Sequence, residues 1–365
     1  MNRRDFLKCT FVLSGLSLAP GVLRSARALS PAEAAEVGWR HFEHVTKVTL
    51  EPGRGRSRIW LPVPTHVQSE YQRPGANAWK GNFSRAGVFR EPLYGCEAVY
   101  AQWDAPAADR PMEIELTSTV SVRDRAADLD KPGQKSAADA DEIALYAKGT
   151  PSSPTDGIVL KTAQKIAQDR ASPIEKARAV YDWILENGVR DPNTQGCGTG
   201  DVVAMLETGN ISGKCADLNG MFVALVRSLG VPAKDVYGIR VADSRYFKSI
   251  GKSGDITKAQ HCRSEFYAAG FGWIPVDPAD VLKVSLEEHL AMESPQIGSE
   301  RRRQFGSWEG NWIAYNTARD VALNPAAKAP LEFFMYPRAE TENGVLNHLD
   351  PKTFRYEISS RQVQV

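Results

Sequence analysis

Cysteine is scarce and dispersed in this 365-residue chain. There are five thiols, at 9, 96, 197, 215 and 262, with no C-x-x-C pair. That spacing excludes the paired-thiol signature of a structural zinc site. Net charge is nearly absent as well. The 45 lysines and arginines are matched by 44 aspartates and glutamates, so no nucleic-acid footprint shows at the level of net charge. A membrane-spanning helix needs about 20 apolar residues. The best candidate, F-V-L-S-G-L-S-L-A at 11–19, is too short and is broken by Gly15 and two serines. No internal repeat is evident, and no motif implies a cofactor.

The first residues are read as an address and not as part of the fold. Arg3 and Arg4 lead N-R-R-D-F-L-K, the short apolar run follows, and Pro20 precedes a small-residue site at Ala26-Arg27-Ala28. Together they read as a twin-arginine export signal, 1–28, cleaved after Ala28. Cleavage removes five basic residues and one acid, moving the formal charge from +1 to −3. The expected location is the periplasm or the medium, with no stable membrane insertion. Thiols tend to pair in such a compartment. Cys215 therefore has three readings: packing residue, half of a disulfide, or nucleophile.

Beyond the signal, 38–125 is expected to be β-rich. H-V-T-K-V-T-L at 44–50, S-R-I-W-L-P-V-P at 57–64 and M-E-I-E-L-T-S-T-V-S-V at 112–122 alternate apolar with polar, as half-buried antiparallel strands do. R-P-G-A-N at 73–77 reads as a turn, and a β-sandwich is the natural arrangement. A polar linker with one short helix follows at 126–154. The segment 172–188 has the marks of a helix: Ser172 as N-cap, Pro173 at the first position, Glu175 closing a capping box, and Asn187-Gly188 as a left-handed stop. D-V-V-A-M-L-E-T at 201–208 is a shorter helix. Strands are expected at 235–241, 261–267, 272–277, 331–336 and 353–358. The segment 291–365 reads as a partly β extension, an added layer or lid.

The chemistry concentrates at S-G-K-C-A-D-L-N-G-M-F, 212–222. Cys215 opens a helix, where unpaired N–H groups and the macrodipole favour a thiolate. Gly213 gives a tight turn and room for a substrate. Leu218, Met221, Phe222, Leu225, Val226 and Leu229 form the buried stripe, so Asp217 and Asn219 fall on the expected solvated face. Gly230 stops the helix. A thiol nucleophile needs a base, and the base an orienting group. His261 and Asp277, on neighbouring strands, are the candidates. Trp273 reads as core and Arg301 to Arg303 as a solvated loop. E-G-N-W at 309–312 is a candidate cleft wall.

G-K-C-A-D-L-N-G-M-F-V-A-L-V-R-S-L-G-V-P-A, H-C-R-S-E-F-Y and G-W-I-P-V-D-P resemble the cysteine, histidine and aspartate segments of the transglutaminase-like superfamily of papain-like cysteine enzymes. They come in that family's order, and the likeness covers roughly 155–280. The resemblance implies an α+β fold, a papain-like/transglutaminase-like core (155–290) preceded by a β-sandwich-like domain. It implies Cys215 as nucleophile, His261 as general base and acid, and Asp277 as orienting residue. It also implies acyl transfer at a carboxamide or peptide bond of a peptide or protein substrate, with no metal and no cofactor. The Cys215 N–H is the expected oxyanion donor, and Gln195 is a candidate for the second. Cys262 and Arg263 depart from the small and aromatic residues that often follow this histidine. Strand alternation would turn Cys262 away from the site, where it could pair with Cys197 in a disulfide. Hydrolysis and transamidation both remain open, as does a non-catalytic module that binds peptides or cell wall. Oligomeric state is not legible.

Overall fold

The structure is a computed structural model that describes residues 38–64, 70–106, 109–133, 138–350, 352 and 354–364. The segment read as an export signal, 1–28, and Cys9 within it lie outside them. Residues 38–365 form one compact unit. Among the described residues no helix is long and apolar enough to cross a membrane.

Alternating side chains build two five-stranded antiparallel sheets. Arg40–Leu50 and Met112–Val122 bury every second residue along most of their length. They pair in register from Arg40–Val122 to Leu50–Met112. Gln72–Gly81 and Arg355–Val363 flank them, and Gly254–Asp255 pairs with the outer side of Arg355–Val363. Ser57–Pro62, Arg85–Arg90, Glu97–Trp103 and Arg338–Thr341 make the second sheet with Gly344–Val345. Val48, Ile114 and Leu116 of the first sheet meet Ile59, Val99 and Trp103 of the second in one apolar cluster. That is the expected sandwich, closed by strands from the far end of the chain. The 291–365 segment builds into the layers. It supplies strands to both sandwich sheets and an edge strand to the core sheet below.

R-P-G-A-N is not a turn. It lies inside the strand Gln72–Gly81, with the register slipping between Pro74 and Asn77. The strand is at the sheet's edge, and a bulge on an edge is where a strand tolerates proline.

The core sheet runs Gly272–Val276, Gln260–Ala268, Ala233–Arg240, Trp312–Asn316, all antiparallel. The helix Cys215–Ser228 packs on it, flanked by Gly157–Ala167, Pro173–Asn187 and Pro278–Glu287. Ser172 and Glu175 close the expected capping box on Pro173–Asn187. Gly188, however, is extended (φ −82°) and not left-handed. Glycine is needed there for closeness: a Cβ would stand 2.5 Å from the Ile184 carbonyl oxygen. Arg301 to Arg303 form the last turn of a helix, Pro295–Arg303, not a loop. Arg301 pairs with Asp182 at 2.9 Å, and Arg303 with Glu300.

Candidate active site

Cys215 is the first residue of its helix, where backbone N–H groups have no intrahelical acceptor. The Asp217 carboxylate accepts from Lys214 N at 2.8 Å, Gly200 N at 2.9 Å and Thr199 N at 3.1 Å. It thereby joins the helix start to the glycine-rich loop. Ala216 N donates to the Cys197 carbonyl at 2.9 Å, a second tie. Gly198 and Gly213 make room for that carboxylate, since a Cβ on either would fall within 2.2 Å of it. The space beside Gly213 thus belongs to Asp217.

His261 lies in Gln260–Ala268 and is 3 % exposed. Its carbonyl accepts from Trp312 Nε1 at 2.9 Å. Nε2 meets Asp277 Oδ2 at 2.7 Å and stands 3.5 Å from Asp280 Oδ1. Asp277 follows the strand Gly272–Val276 and caps the helix Pro278–Glu287, accepting from Asp280 N at 3.1 Å. With Nε2 so engaged, Nδ1 is left for the thiol, and the Cys215 sulfur has His261 as a hydrogen-bond partner. The structure therefore brings Cys215, His261 and Asp277 together.

The electrostatics follow from the contacts. Burial alone would raise the Cys215 thiol. The neighbouring Cys197 and Cys262 thiols and the His261 ring outweigh it and hold the thiol well below its ordinary value. Burial and the Arg240 cation pull His261 down, but the Asp280 and Asp277 carboxylates leave it raised. Both shifts favour a thiolate–imidazolium pair. Cys197 and Cys262 shift up: the thiolate beside Cys197 and burial act on the first, burial and then the thiolate on the second.

The sequence profile of the Transglutaminase-like superfamily matches residues 160–278. An uncharacterized protein of Haemophilus influenzae is 36% identical over 367 residues, covering 94% of this chain and 97% of its own length. The chain belongs to the transglutaminase-like superfamily. A solved structure of a Cytophaga hutchinsonii protein, described as a candidate cysteine protease, shares the fold. It has a TM-score of 0.55 at 15% identity, over 90% of this chain and 92% of that one.

Within this transglutaminase-like core, three expectations fail. Cys197 and Cys262 are free thiols. Each approaches Cys215 and they do not bond to one another, Cys197 also donating to the Gln260 carbonyl at 3.3 Å. Asp217 and Asn219 are buried, the first under the glycine-rich loop and the second against the Cys262 carbonyl and Asp277. Gln195 is exposed and lines a second cavity that adjoins the Cys215 cleft. Trp273 is half-buried in an aromatic cluster, and Glu309, Asn311 and Trp312 are buried supports that do not line the cleft.

Sequence reasoning missed three polar residues. Asn219 Nδ2 donates to the Cys262 carbonyl at 2.7 Å and to Asp277 Oδ1 at 3.1 Å, fixing the carboxylate from below. Asp280 and Arg240 form a buried pair at 2.6 Å beside the imidazole. The available signal for Asn219 was the almost unbroken apolar run after it, Met221 to Val226, which marks a helix buried all round. Among the described residues, the one group of three metal-type donors within 4.8 Å is His261, Asp277 and Asp280. Its carboxylates are already held by the imidazole, Arg240 and Asn219.

Proposed function

We propose that the protein is an exported cysteine-dependent acyl-transfer enzyme acting on a carboxamide or peptide bond, with Cys215 as nucleophile, His261 as acid and base, and Asp277 as orienting residue. The observation that carries this reading is the Nε2–Asp277 contact at 2.7 Å, which commits one ring nitrogen and leaves the other for a thiol at a helix start. Asp277 fixes the tautomer and favours the imidazolium. The Cys215 sulfur attacks the carbonyl carbon, and negative charge moves to the oxygen. The Cys215 N–H is a donor for that oxygen. As the C–N bond breaks, Nδ1–H protonates the leaving amine and a thioester remains. His261 then takes a proton from water or an incoming amine, which attacks the thioester and releases Cys215 as thiolate. Which acceptor wins depends on how well the cleft excludes water. Export through residues 1–28 is part of the same proposal, on the motif alone.

The test is mass spectrometry of peptide panels incubated with the mature protein and a labelled amine, alongside Cys215→Ala. Hydrolysis or amine incorporation that vanishes in Cys215→Ala supports the proposal and names the acceptor. No turnover, with Cys215 alkylated no faster than Cys96, overturns it in favour of a binding module.

A further inference from the structure

The Cys215 cleft, about 620 Å³, concentrates positive charge in a chain whose net charge is only +1. Of its cations, Arg240 is committed to Asp280, and Arg190 and Lys283 share Glu287. Four lysines remain on its walls: Lys214, Lys248, Lys252 and Lys258. No ion pair within 4.0 Å involves any of them among the described residues. The two other acids of the wall, Asp243 and Glu288, keep their charge, and Glu288 acts on Lys248, so seven cations in all face three acids. Asp243 accepts from Ser253 at 2.9 Å and Glu288 from Ser249 N at 2.7 Å. Like charges left facing one concavity repel each other and focus a positive potential into it. A ligand that brings carboxylates relieves that repulsion.

A second cavity, about 380 Å³, adjoins the first. The two share Gly196, Cys197, Lys214, Lys258 and Gln260, so one groove passes over the Cys197–Cys215 region. Its far walls are Tyr336, Leu349, Phe354, Tyr356 and His348. His348 stacks on Tyr336 at 4.4 Å, and burial pushes its pKa down to about 4, so it is neutral at pH 7. This end offers aromatic and aliphatic surface and stacking faces.

Resting on the acyl-transfer reading, we propose that the groove selects acidic peptides of one pattern. Carboxylate side chains sit on the Lys248–Lys252 side of the reacting carbonyl, and an aromatic or large apolar side chain sits on the Tyr336–Tyr356 side. Lys248 and Lys252 are then specificity-determining residues, and they stand off the Cys215–His261–Asp277 set.

The experiment is calorimetric binding to Cys215→Ala protein, which cannot turn substrate over. The probes are acetylated, amidated hexapeptides with two glutamates at one end and phenylalanine at the other, in both orientations. Matched peptides carry Glu→Gln or Phe→Ala. The glutamate peptide of one orientation should bind at least about tenfold tighter than its glutamine partner at 50 mM salt, a factor within reach of two exposed ion pairs. The advantage should shrink several-fold at 500 mM salt, where screening is strong. It should largely vanish in Lys248→Ser/Lys252→Ser, and Phe→Ala should cost about tenfold or more, no loss refuting the apolar end. Equal binding of acidic and neutral peptides, an acidic preference untouched by the lysine replacements, or no binding of any peptide would overturn the proposal. The two readings separate cleanly. Charge-selective binding without turnover by the intact protein removes the chemistry and keeps the groove's selectivity, whereas turnover without charge preference does the reverse.

Discussion

Arg240→Met removes one half of a buried ion pair beside the imidazole. The guanidinium donates from Nη2 to Asp280 Oδ1 at 2.6 Å and from Nη1 to the Ile250 carbonyl at 2.6 Å. That carbonyl keeps a second donor in Asn311 Nδ2 at 3.0 Å, so the loss falls mainly on Asp280. Burial alone would raise the Asp280 carboxyl, but Arg240, then His261 and Arg263, hold it well below the usual carboxylate range. Stripping one partner from a buried pair costs about 3–5 kcal/mol, a large share of the 5–15 kcal/mol typical of a domain. Urea unfolding at pH 7 should show that loss. The sign with pH is also fixed. The depressed Asp280 contributes stability above its unfolded value of about 3.9 and loses it as pH falls through the folded value. In Arg240→Met that carboxyl protonates more readily, so the deficit against the parent is widest near pH 7 and narrows towards pH 4. Arg240→Met/Asp280→Leu, with neither charge left, should recover most of the loss, a coupling of about 2–4 kcal/mol. A single-variant cost below about 1 kcal/mol, or a deficit that does not change with pH, would refute the reasoning.

Other outcomes follow from the same geometry. With the Cys215 thiol held low and His261 raised, iodoacetamide should label Cys215 at pH 6 within about threefold of its pH 8 rate. An ordinary thiol loses about tenfold per unit below its pKa, and that steeper fall would show that the ion pair is absent. Asn219→Ala leaves the Cys262 carbonyl and one Asp277 oxygen without their amide donor. It should cost about 2–4 kcal/mol in urea unfolding and lower kcat more than KM, and an unchanged unfolding midpoint would remove Asn219 as a support of Asp277. Residues 29–365, purified without reductant and denatured, should titrate as four thiols, because Cys96, Cys197, Cys215 and Cys262 are all free. A count of two would restore the Cys197–Cys262 bridge.

What was legible in the sequence was whatever depends on local pattern. Period-two alternation found the strands Arg40–Leu50 and Met112–Val122, and the Ser172–Glu175 box marked where its helix begins. The contact between His261 and Asp277 followed from two antiparallel neighbours ending side by side. What was not legible depends on what covers a face. A helical wheel assigns one face to core and the rest to water, and on that rule Asp217 and Asn219 had to be solvated. They are buried because the glycine-rich loop closes over Asp217 and the strand and helix that meet at Asp277 close over Asn219. A buried polar side chain must then find partners: Asp217 takes three loop amides, and Asn219 reaches Asp277. The disulfide expectation failed for a related reason. Alternation did put Cys262 on the opposite side of the strand from the cleft, but that side is where the Cys215 helix packs. Cys262 and Cys197 therefore meet the same sulfur from separate elements and stay free where a covalent bond had been expected, with the Cys197 S–H turned to the Gln260 carbonyl. Alternation gives a side chain's face and leaves open which element occupies it, so each of these errors names a place where long-range packing, not propensity, sets the chemistry around Cys215.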